Sequence, residues 1–378
     1  MDVANFDAIV LGTGGVGSAA MYQLALRGAS VVGLDRFSAG HNRGSSHGLT
    51  RVIRMAYFEH PDYVPLLRRT YELWEDLEQR SGQKLYHETG LLEIGPADGA
   101  VVPGVLQCAA EHNLPVESLS AREVNSHFPA LFCPDSMIGV LERRAGYLPV
   151  EQCIVQHIRE AKQLGAEHRT GVTVNSWRSE GDAVVVETDQ GTFRAGSLIV
   201  TAGAWSADLL AGLGVSLRVL RKPLYWYATD DERYEAEHGC PAFLYETPEG
   251  IFYGFPKLDP LGVKVGEHTG GALVDDPLLI RRQSDPAEEQ RTRQFIGRYL
   301  PGVSDRVTDC TICMYTMTAD EHFIVDRHPE CEQVVFAAGL SGHGFKFAPV
   351  LGEALADLAL NGRSSLPIGF LGCGRFVV

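Results

Sequence analysis

Residues 6–35, FDAIVLGTGGVGSAAMYQLALRGASVVGLD, decide the fold. Residues 6–11 are a short apolar run of the kind that forms a buried parallel strand, and residues 30–34 are a second such run. Between them, residues 18–27 have the apolar spacing of a helix that ends before Gly28. This order predicts a strand–turn–helix–strand unit of a Rossmann-like α/β fold.

The turn of this unit is the glycine motif GTGGVG, with Gly12, Gly14, Gly15 and Gly17. Glycines allow a tight turn and let backbone N–H groups approach a pyrophosphate at the N-terminus of the following helix. Asp35 stands at the carboxyl end of the second strand, where it can accept a hydrogen bond from a ribose hydroxyl. The motif therefore predicts dinucleotide binding, and it leaves NAD and FAD both open.

Length and composition narrow the class of protein. The chain has 378 residues, of which 45% are hydrophobic, and this predicts at least two globular domains. The net charge of −15 argues against nucleic acid or an anionic membrane as a partner, and any anion site must gather positive charge locally. Eight scattered cysteines and the absence of a signal-peptide pattern or a long apolar run predict a cytoplasmic protein with free thiols.

Strands that run into glycine turns recur at residues 6–17, 198–205 and 333–344, with other material inserted between them. Residues 172–195 are typical of a small antiparallel meander, residues 197–200 of a separate strand, and residues 113–146 of a loop-rich connection. We predict a discontinuous dinucleotide-binding domain and a second, sheet-rich substrate domain. The first comprises residues 1–85, 146–217 and 315–378, and the second comprises residues 86–145 and 218–314.

Two basic, glycine-rich loops are candidates for binding an anion. Residues 42–54, NRGSSHGLTRVIR, carry His47, Arg51 and Arg54 shortly after Asp35, although such a loop can also be simply solvated. Residues 339–347, GLSGHGFKF, place Lys346 between two phenylalanines, which favours a bound anionic group over an idle surface lysine.

Two further positions stay open on the pattern alone. Lys264 lies on the opposite strand face from Val263 and Val265, so it faces either a cavity or water. Cys313 lies in an apolar run, three residues after Cys310, and is a core thiol, half of a pair or an attachment point. Without a second pair of cysteines at ligand spacing, we predict no metal site.

Together these motifs resemble the monomeric sarcosine oxidase family, which includes N-methyltryptophan oxidase and belongs to the D-amino-acid-oxidase-like FAD fold. The resemblance covers essentially the whole chain. Its marks, in order, are GTGGVG with Asp35, GSSHGLTRVIR, YGFP with Lys264 eleven residues after Tyr253, CMYTMTADEHF from Cys313, and GLSGHGFKFAP.

The resemblance implies an FAD-dependent amine oxidase. It is expected to be a monomer whose partners are a small amino-acid substrate and O2. It implies that O2 oxidises a secondary α-amino acid, either N-methylated like sarcosine or cyclic, giving an imine and H2O2. A flavin dehydrogenase of the same fold that passes electrons to another acceptor is the alternative. An NAD-dependent dehydrogenase would rest on the glycine motif alone.

The resemblance also implies roles for individual residues. Cys313 would bond covalently to FAD, Lys264 would promote the reaction with oxygen, and Arg54 with Lys346 would grip the substrate carboxylate. Tyr253, His268 and His343 would line the substrate pocket, and His47, Thr50 and Arg51 would lie near the flavin. The remaining predicted cofactor contacts are Arg36, Ser45, Val174, Ala202, Gly203, Trp205, Met314, Gly342, Gly344 and Phe345. Met55 and Phe58 differ from the smaller or basic residues of sarcosine-specific members, so the exact substrate stays open.

Overall fold

The structure is a computed structural model that describes residues 4–210 and 213–376. In chain order its strands are β1 (Ala4–Leu11), β2 (Val31–Asp35), β3 (Thr50–Ile53), β4 (Leu91–Gly95), β5 (Glu117–Ser120), β6 (Ile138–Glu142), β7 (Gly146–Pro149), β8 (Glu167–Thr170), β9 (Val174–Glu180), β10 (Ala183–Thr188), β11 (Gly191–Val200), β12 (Arg218–Tyr227), β13 (Ala242–Thr247), β14 (Gly250–Phe255), β15 (Val263–Glu267), β16 (Val307–Met317), β17 (Ile324–His328) and β18 (Cys331–Ala338). The helices are α1 (Gly15–Leu26), α2 (Val64–Ser81), α3 (Val101–His112), α4 (Ala121–His127), α5 (Val150–Gln163), α6 (Ser206–Leu209), α7 (Pro286–Tyr299) and α8 (Ala348–Asn361).

The first sheet is built around the predicted strand–turn–helix–strand unit. Its strands follow the order β17-β18-β11-β1-β2-β8, and β10 and β9 extend it from β11. The pairs β1–β2 and β1–β11 are parallel, so their carboxyl ends meet at one edge, below the N-terminus of α1. Helix α1 packs between α5 and α8. The predicted Rossmann-like α/β fold is therefore confirmed.

The second sheet carries the inserted segments. Its order is β16-β12-β15-β14-β13-β4-β6-β5, and its ladders are antiparallel except for the pair of β4 with β13. Helix α7 covers one face, where its Phe295 stacks on Phe252 with ring centroids 4.5 Å apart. The aromatic residues Tyr225 and Tyr227 of β12 are fully buried in this core, which explains the aromatic run in the sequence.

Two local predictions were wrong. The expected meander strand near residue 192 and the separate strand at 197–200 are one strand, β11, because its first half pairs with β10 and its second half with β18. The connection expected to be loop-rich contains β5, α4 and β6, because β6 pairs with β4 and completes the second sheet. Both elements depend on partners that are distant in sequence.

The predicted domain boundaries stay predictions. The boundary before residue 218 coincides with the first residue of β12, whereas the boundary between residues 314 and 315 falls inside β16. Across residues 4–210 and 213–376, no helix has the length and apolar character needed to cross a membrane.

Candidate active site

A cavity of about 270 Å³ lies between the glycine turn of the first sheet and the second sheet. Most of the residues predicted from the sequence contribute to its walls. Those that do so are Gly12, Gly14, Gly15, Asp35, Arg36, Ser45, Arg51, Arg54, Val174, Ala202, Gly203, Trp205, Tyr253, His268, Met314, Gly342, His343, Gly344, Phe345 and Lys346. The two basic loops and both sheets therefore meet at one site.

The other predicted residues lie one layer behind these walls. They are Gly17, His47, Thr50, Lys264 and Cys313, and each is buried. Gly17 packs so closely on the backbone of Gly12 that a Cβ atom would overlap it, so this glycine shapes the turn itself. Of the other four, Thr50 and Cys313 accept hydrogen bonds from Arg51, which lines the cavity, and Lys264 donates to Thr50.

The end of the cavity at the glycine turn fits a pyrophosphate. Gly14 precedes α1, and a Cβ atom on it would meet no atom closer than Ser46 Oγ at 3.9 Å, so its surroundings are open. The first turn of α1 has no acidic residue, so its partial positive charge is available to an anion, although the Gly15 N–H donates to Ser46 Oγ at 3.3 Å. Gly12, at φ +86°, approaches Thr201 so closely that a Cβ atom would lie 2.7 Å from the carbonyl oxygen.

Asp35 lies beside this turn and is largely satisfied by the protein. Its Oδ2 accepts hydrogen bonds from the N–H of Thr13 at 2.7 Å and from Thr13 Oγ1 at 3.0 Å. Its Oδ1 accepts from the N–H of Phe37 at 2.9 Å and lies 3.7 Å from Nε2 of His41. The carboxylate thus fixes the first turn against the end of β2 while still lining the cavity.

Buried polar atoms without partners also point to a bound group. Among the described residues, nothing accepts from Trp205 Nε1, and neither ring nitrogen of His47 has a hydrogen-bond partner. Burial, assisted by Arg51, lowers the pKa of His47 to about 3, so its ring is neutral. Because unpaired buried donors are costly and Trp205 lines the cavity, its Nε1 fits a site that a polar cofactor completes.

Arg51 connects the loop before β3 with Cys313 on β16. Its Nη2 donates to Cys313 Sγ at 3.1 Å and to the carbonyl oxygen of Ser45 at 3.0 Å. Cys313 packs with Leu224 and Trp226, whereas Cys310 packs in the aromatic core on the other face of the sheet. The two thiols are free, and the described residues contain no cluster of three or more metal-ligating side chains.

Lys264 faces the interior, which resolves the alternative that its strand pattern left open. Its side chain is 2% exposed. The Nζ atom donates to the carbonyl oxygens of Gly48 at 2.6 Å and Thr50 at 2.8 Å, and it lies 3.0 Å from Thr50 Oγ1. Burial, followed by the charge of Arg51, lowers the pKa of Lys264 well below its usual range. The lysine therefore sits directly behind the loop that carries Arg51.

The opposite end of the cavity contains Arg54 and Lys346. Arg54 Nη2 donates to both carboxylate oxygens of Glu59 at 2.7 Å, and Nη1 lies 3.3 Å from Glu93 Oε1. Although burial opposes ionisation, Arg54 holds the pKa of Glu59 at about 2. Burial and the neighbouring charge of Arg54 lower the pKa of Lys346 to about 7. This end therefore carries two buried basic groups beside the buried Glu93 and the partly buried Glu59.

The predicted aromatic and histidine residues surround this charged end. His343 is hydrogen-bonded through Nδ1 to Tyr57 OH, and its Nε2 lies 3.0 Å from the carbonyl oxygen of Glu321. His268 Nδ1 lies 3.5 Å from the hydroxyl of Tyr315. Burial is the main cause that lowers the pKa of His268 to about 3 and that of His343 to about 4. Both rings are therefore neutral near pH 7.

Sequence reasoning did not select three residues that shape this end, namely Tyr57, Glu59 and Tyr315. Tyr315 is two positions after Cys313 on β16, so the two-residue period of a strand would have placed it on the same face as the cysteine. Gly342 packs against its ring so closely that a Cβ atom would overlap it. Glu59 gave no local signal, because only the fold brings it onto Arg54.

The cavity gathers cationic side chains in a chain whose net charge is −15. Arg36, Arg51, Arg54 and Lys346 line it, together with the acidic residues Asp35 and Glu59. Positive charge is therefore concentrated inside the protein, as the composition predicts for an anion site in an acidic chain.

Comparison with known proteins identifies the family. Residues 7–358 match the model of the FAD dependent oxidoreductase family. The chain is 39% identical over 376 residues to the monomeric sarcosine oxidase of Bacillus sp. (strain B-0618), covering 98% of this chain and 96% of that protein. It is 36% identical over 374 residues to the N-methyl-L-tryptophan oxidase of Yersinia pestis (strain Pestoides F), covering 98% and 100% of the two chains.

A solved structure agrees with these sequence matches. The open form of NikD, described as an unusual amino acid oxidase essential for nikkomycin biosynthesis, superposes with a TM-score of 0.85 at 26% identity over 98% of each chain. The predicted resemblance is confirmed: the chain belongs to the FAD-dependent oxidoreductases, in the group that contains monomeric sarcosine oxidase and N-methyl-L-tryptophan oxidase.

Proposed function

We propose that the protein oxidises a secondary α-amino acid, either N-methylated or cyclic, with O2 as the acceptor. The products would be an imine, which hydrolyses, and H2O2. The observation that carries the proposal is one cavity with two different ends. A glycine turn and a helix N-terminus form the dinucleotide end, and Arg54 with Lys346 forms an end suited to a carboxylate.

The substrate class draws on the relatives. The similar proteins from Bacillus and Yersinia are named for the oxidation of sarcosine and N-methyl-L-tryptophan, which are both N-methyl amino acids. Phe58 lines the cavity here, and the guanidinium of Arg54 stacks on its ring at 4.4 Å. A large aromatic side chain beside the carboxylate-binding arginine favours a substrate with an apolar portion over sarcosine alone.

FAD is the proposed cofactor, attached covalently through Cys313. The flavin, when bound, supplies the two-electron acceptor for the C–H bond next to nitrogen. The 3.1 Å contact of Arg51 Nη2 with Cys313 Sγ supports an attachment role, because it holds the sulfur beside a side chain that lines the cavity. Arg51 lines the cavity and Lys264 lies behind the segment that carries it, where both would stabilise negative charge that develops on the flavin and on oxygen.

The protein's own groups would position the substrate and set its protonation. Arg54 and Lys346 would hold the carboxylate, which fixes the reacting C–H bond, and such positioning contributes roughly 7–11 kcal/mol in favourable cases. Neutral His268 and His343 add no positive charge around the amine. A buried pocket of this kind favours the uncharged amine, which is the form that can be oxidised.

We also propose a monomer in the cytoplasm with no partner beyond the amino acid and O2. The eight free thiols support a reducing compartment. The similar proteins from Bacillus sp. (strain B-0618) and Arthrobacter sp. (strain TE1826) are named as monomeric enzymes, which supports the proposed monomeric state.

A peroxide-coupled screen tests the proposed function. The purified yellow protein would be given sarcosine, larger N-methyl amino acids, pipecolate and proline in air. We expect H2O2 from at least one of them, with Arg54→Leu raising KM for the same compound. Bleaching of the flavin without peroxide would favour the dehydrogenase alternative. Absence of bleaching with every secondary amino acid under anaerobic conditions would exclude the substrate class.

A further inference from the structure

Glu93 is a buried carboxyl group that the proposed reaction does not use. It lies on β4, is 0% exposed, and neither of its oxygens accepts a hydrogen bond from any residue in the described ranges. Its strand neighbours in register are Leu244 on β13 and Val140 on β6, which are apolar residues of a small buried cluster. An ionised carboxylate in such apolar surroundings has a high desolvation cost, so it needs a compensating positive charge nearby.

The guanidinium of Arg54 is the positive charge that lies beside Glu93. Its Nη1 lies 3.3 Å from Glu93 Oε1, while its Nη2 is occupied by Glu59. Glu93 does not line the cavity, whereas Arg54 and Glu59 do. Glu93 therefore approaches Arg54 from outside the cavity wall as an ion-pair partner, while Nη1 donates its hydrogen bond to the carbonyl oxygen of Ala56 at 3.1 Å.

We infer that Glu93 is a positioning residue for Arg54, and that binding of a carboxylate ligand in front of Arg54 is coupled to the uptake of a proton by Glu93 behind it. The inference rests on the proposed carboxylate-binding role of Arg54. The physical reason is that a second negative charge close to the same guanidinium disfavours an ionised Glu93. A ligand would bind more weakly when Glu93 is ionised, because a further negative charge would then lie beside Arg54, which already pairs with Glu59.

The charged surroundings of Glu93 agree with this linkage. Burial raises the pKa of Glu93 to about 8, against the attraction of Arg54, and the carboxyls of Glu142 and Glu59 raise it further. Lys346 acts in the opposite direction. Glu142 accepts from the N–H groups of Met55 and Ala56 and is itself buried. Near pH 7 Glu93 is therefore mainly protonated, and it ionises as the pH rises through about 8.

The expected consequence is a loss of carboxylate affinity in alkaline solution. We expect the Kd of a simple carboxylate to rise between about pH 7 and pH 9. The rise should be up to about tenfold larger for the natural protein than for Glu93→Gln, because the amide of the variant does not titrate. Lys346, whose pKa is about 7, loses its charge in a similar range, so part of the dependence remains in the variant. The contribution of Glu93 is therefore the difference between the pH dependence of Kd in the natural protein and that in Glu93→Gln.

Isothermal titration calorimetry of the flavin-loaded protein with propanoate tests the linkage. Propanoate is fully ionised in this range and has no amine. Titrations in buffers with different ionisation enthalpies count the protons taken up on binding. We expect the natural protein to take up more protons than Glu93→Gln near pH 9, by up to about one, with the difference vanishing near pH 6.5. Equal proton counts at every pH would overturn the inference.

Two further variants separate this role from a merely structural one. Glu93→Leu should also lower the proton count, and it suits the apolar cluster if the amide folds poorly. Glu246→Gln is the matched control, because Glu246 lies on β13 and accepts from the N–H groups of Ala100 and Val101, at the start of α3. It should leave the proton count unchanged. Failure of the natural protein to bind propanoate at any pH would instead overturn the carboxylate site itself.

Discussion

Both carboxylate oxygens of Glu59 accept hydrogen bonds from Nη2 of Arg54, each at 2.7 Å, on the wall of the cavity. The arginine proposed to hold the substrate is therefore already paired with a carboxylate of the protein. A substrate carboxylate must compete with Glu59 for the same guanidinium, so the measured affinity is a difference between two similar interactions.

Glu59→Gln is expected to strengthen carboxylate binding, because a neutral amide competes less well for Arg54. We expect the Kd of propanoate to fall several-fold and the melting temperature to decrease, since the buried guanidinium loses its best counter-ion. Flavin absorbance changes and calorimetry measure the two effects. Weaker ligand binding together with unchanged stability would contradict the competition. Glu75→Gln, at an exposed position on α2, is the control and should change neither quantity.

Replacement of Cys313 by alanine is expected to abolish covalent flavin attachment, because the sulfur is the proposed bonding atom. After acid precipitation the natural protein should stay yellow, and the variant should release its flavin into the supernatant. Cys310→Ala is the matched control, since Cys310 lies on the same strand with its side chain on the opposite face of the sheet. Release of the flavin from the natural protein would contradict the attachment.

Lys264→Met is expected to slow reoxidation by O2 by about 10²-fold or more, the usual effect of losing one electrostatic stabiliser. Anaerobic reduction by substrate should slow much less, because Lys264 does not line the cavity. Stopped-flow absorbance separates the two half-reactions. Lys257→Met, a half-exposed lysine paired with Glu235, is the control. Equal slowing of both half-reactions would remove the proposed role.

Acid should destabilise the fold through a buried histidine away from the cavity. Burial lowers the pKa of His157 to about 3, and its ring packs against Trp74 and Tyr22. Since the folded-state value lies below the unfolded value of about 6.5, the contribution is present above pH 6.5 and is lost as the pH falls towards 3. His157→Phe should reduce the pH dependence of the unfolding free energy by about 1.4 kcal/mol per pH unit in that window.

Urea denaturation at several pH values checks this change in slope. His127→Phe is a suitable control, because His127 is exposed at the end of α4. An unchanged slope for His157→Phe would mean that the buried ring is protonated in the folded state. The absolute stability of the variant is a separate result and does not bear on the slope.

The Rossmann-like unit and the basic loops were predictable because their signals are local. The glycines of residues 12–17 need particular backbone geometry, and residues 42–54 follow Asp35 directly in the chain. The extent of β11 was not predictable in the same way, because its second half is fixed by pairing with β1 and β18. The local sequence of β11 carries no information about either of these partner strands.

At the charged end of the cavity, too, some residues were predictable from local motifs and others were not. Arg54 and Lys346 were identified through the motifs that contain them, whereas Glu93 looked like one polar residue in the strand sequence LLEIG. Its importance comes from a contact with Arg54, which lies 39 positions earlier in the chain, just after β3. Burial and charge at such a place are properties of the assembled fold.

The concentration of cationic side chains inside an otherwise acidic molecule has a kinetic consequence. A small anion diffusing in from solution first meets the repulsive outer field of a protein with net charge −15 and only then the arginines within. At 0.1 M, added salt screens the outer field with a Debye length of about 10 Å. It screens the charges buried in the cavity much less. Anionic inhibitors should therefore associate faster as ionic strength increases, the reverse of the behaviour of enzymes that attract their ligands from a distance.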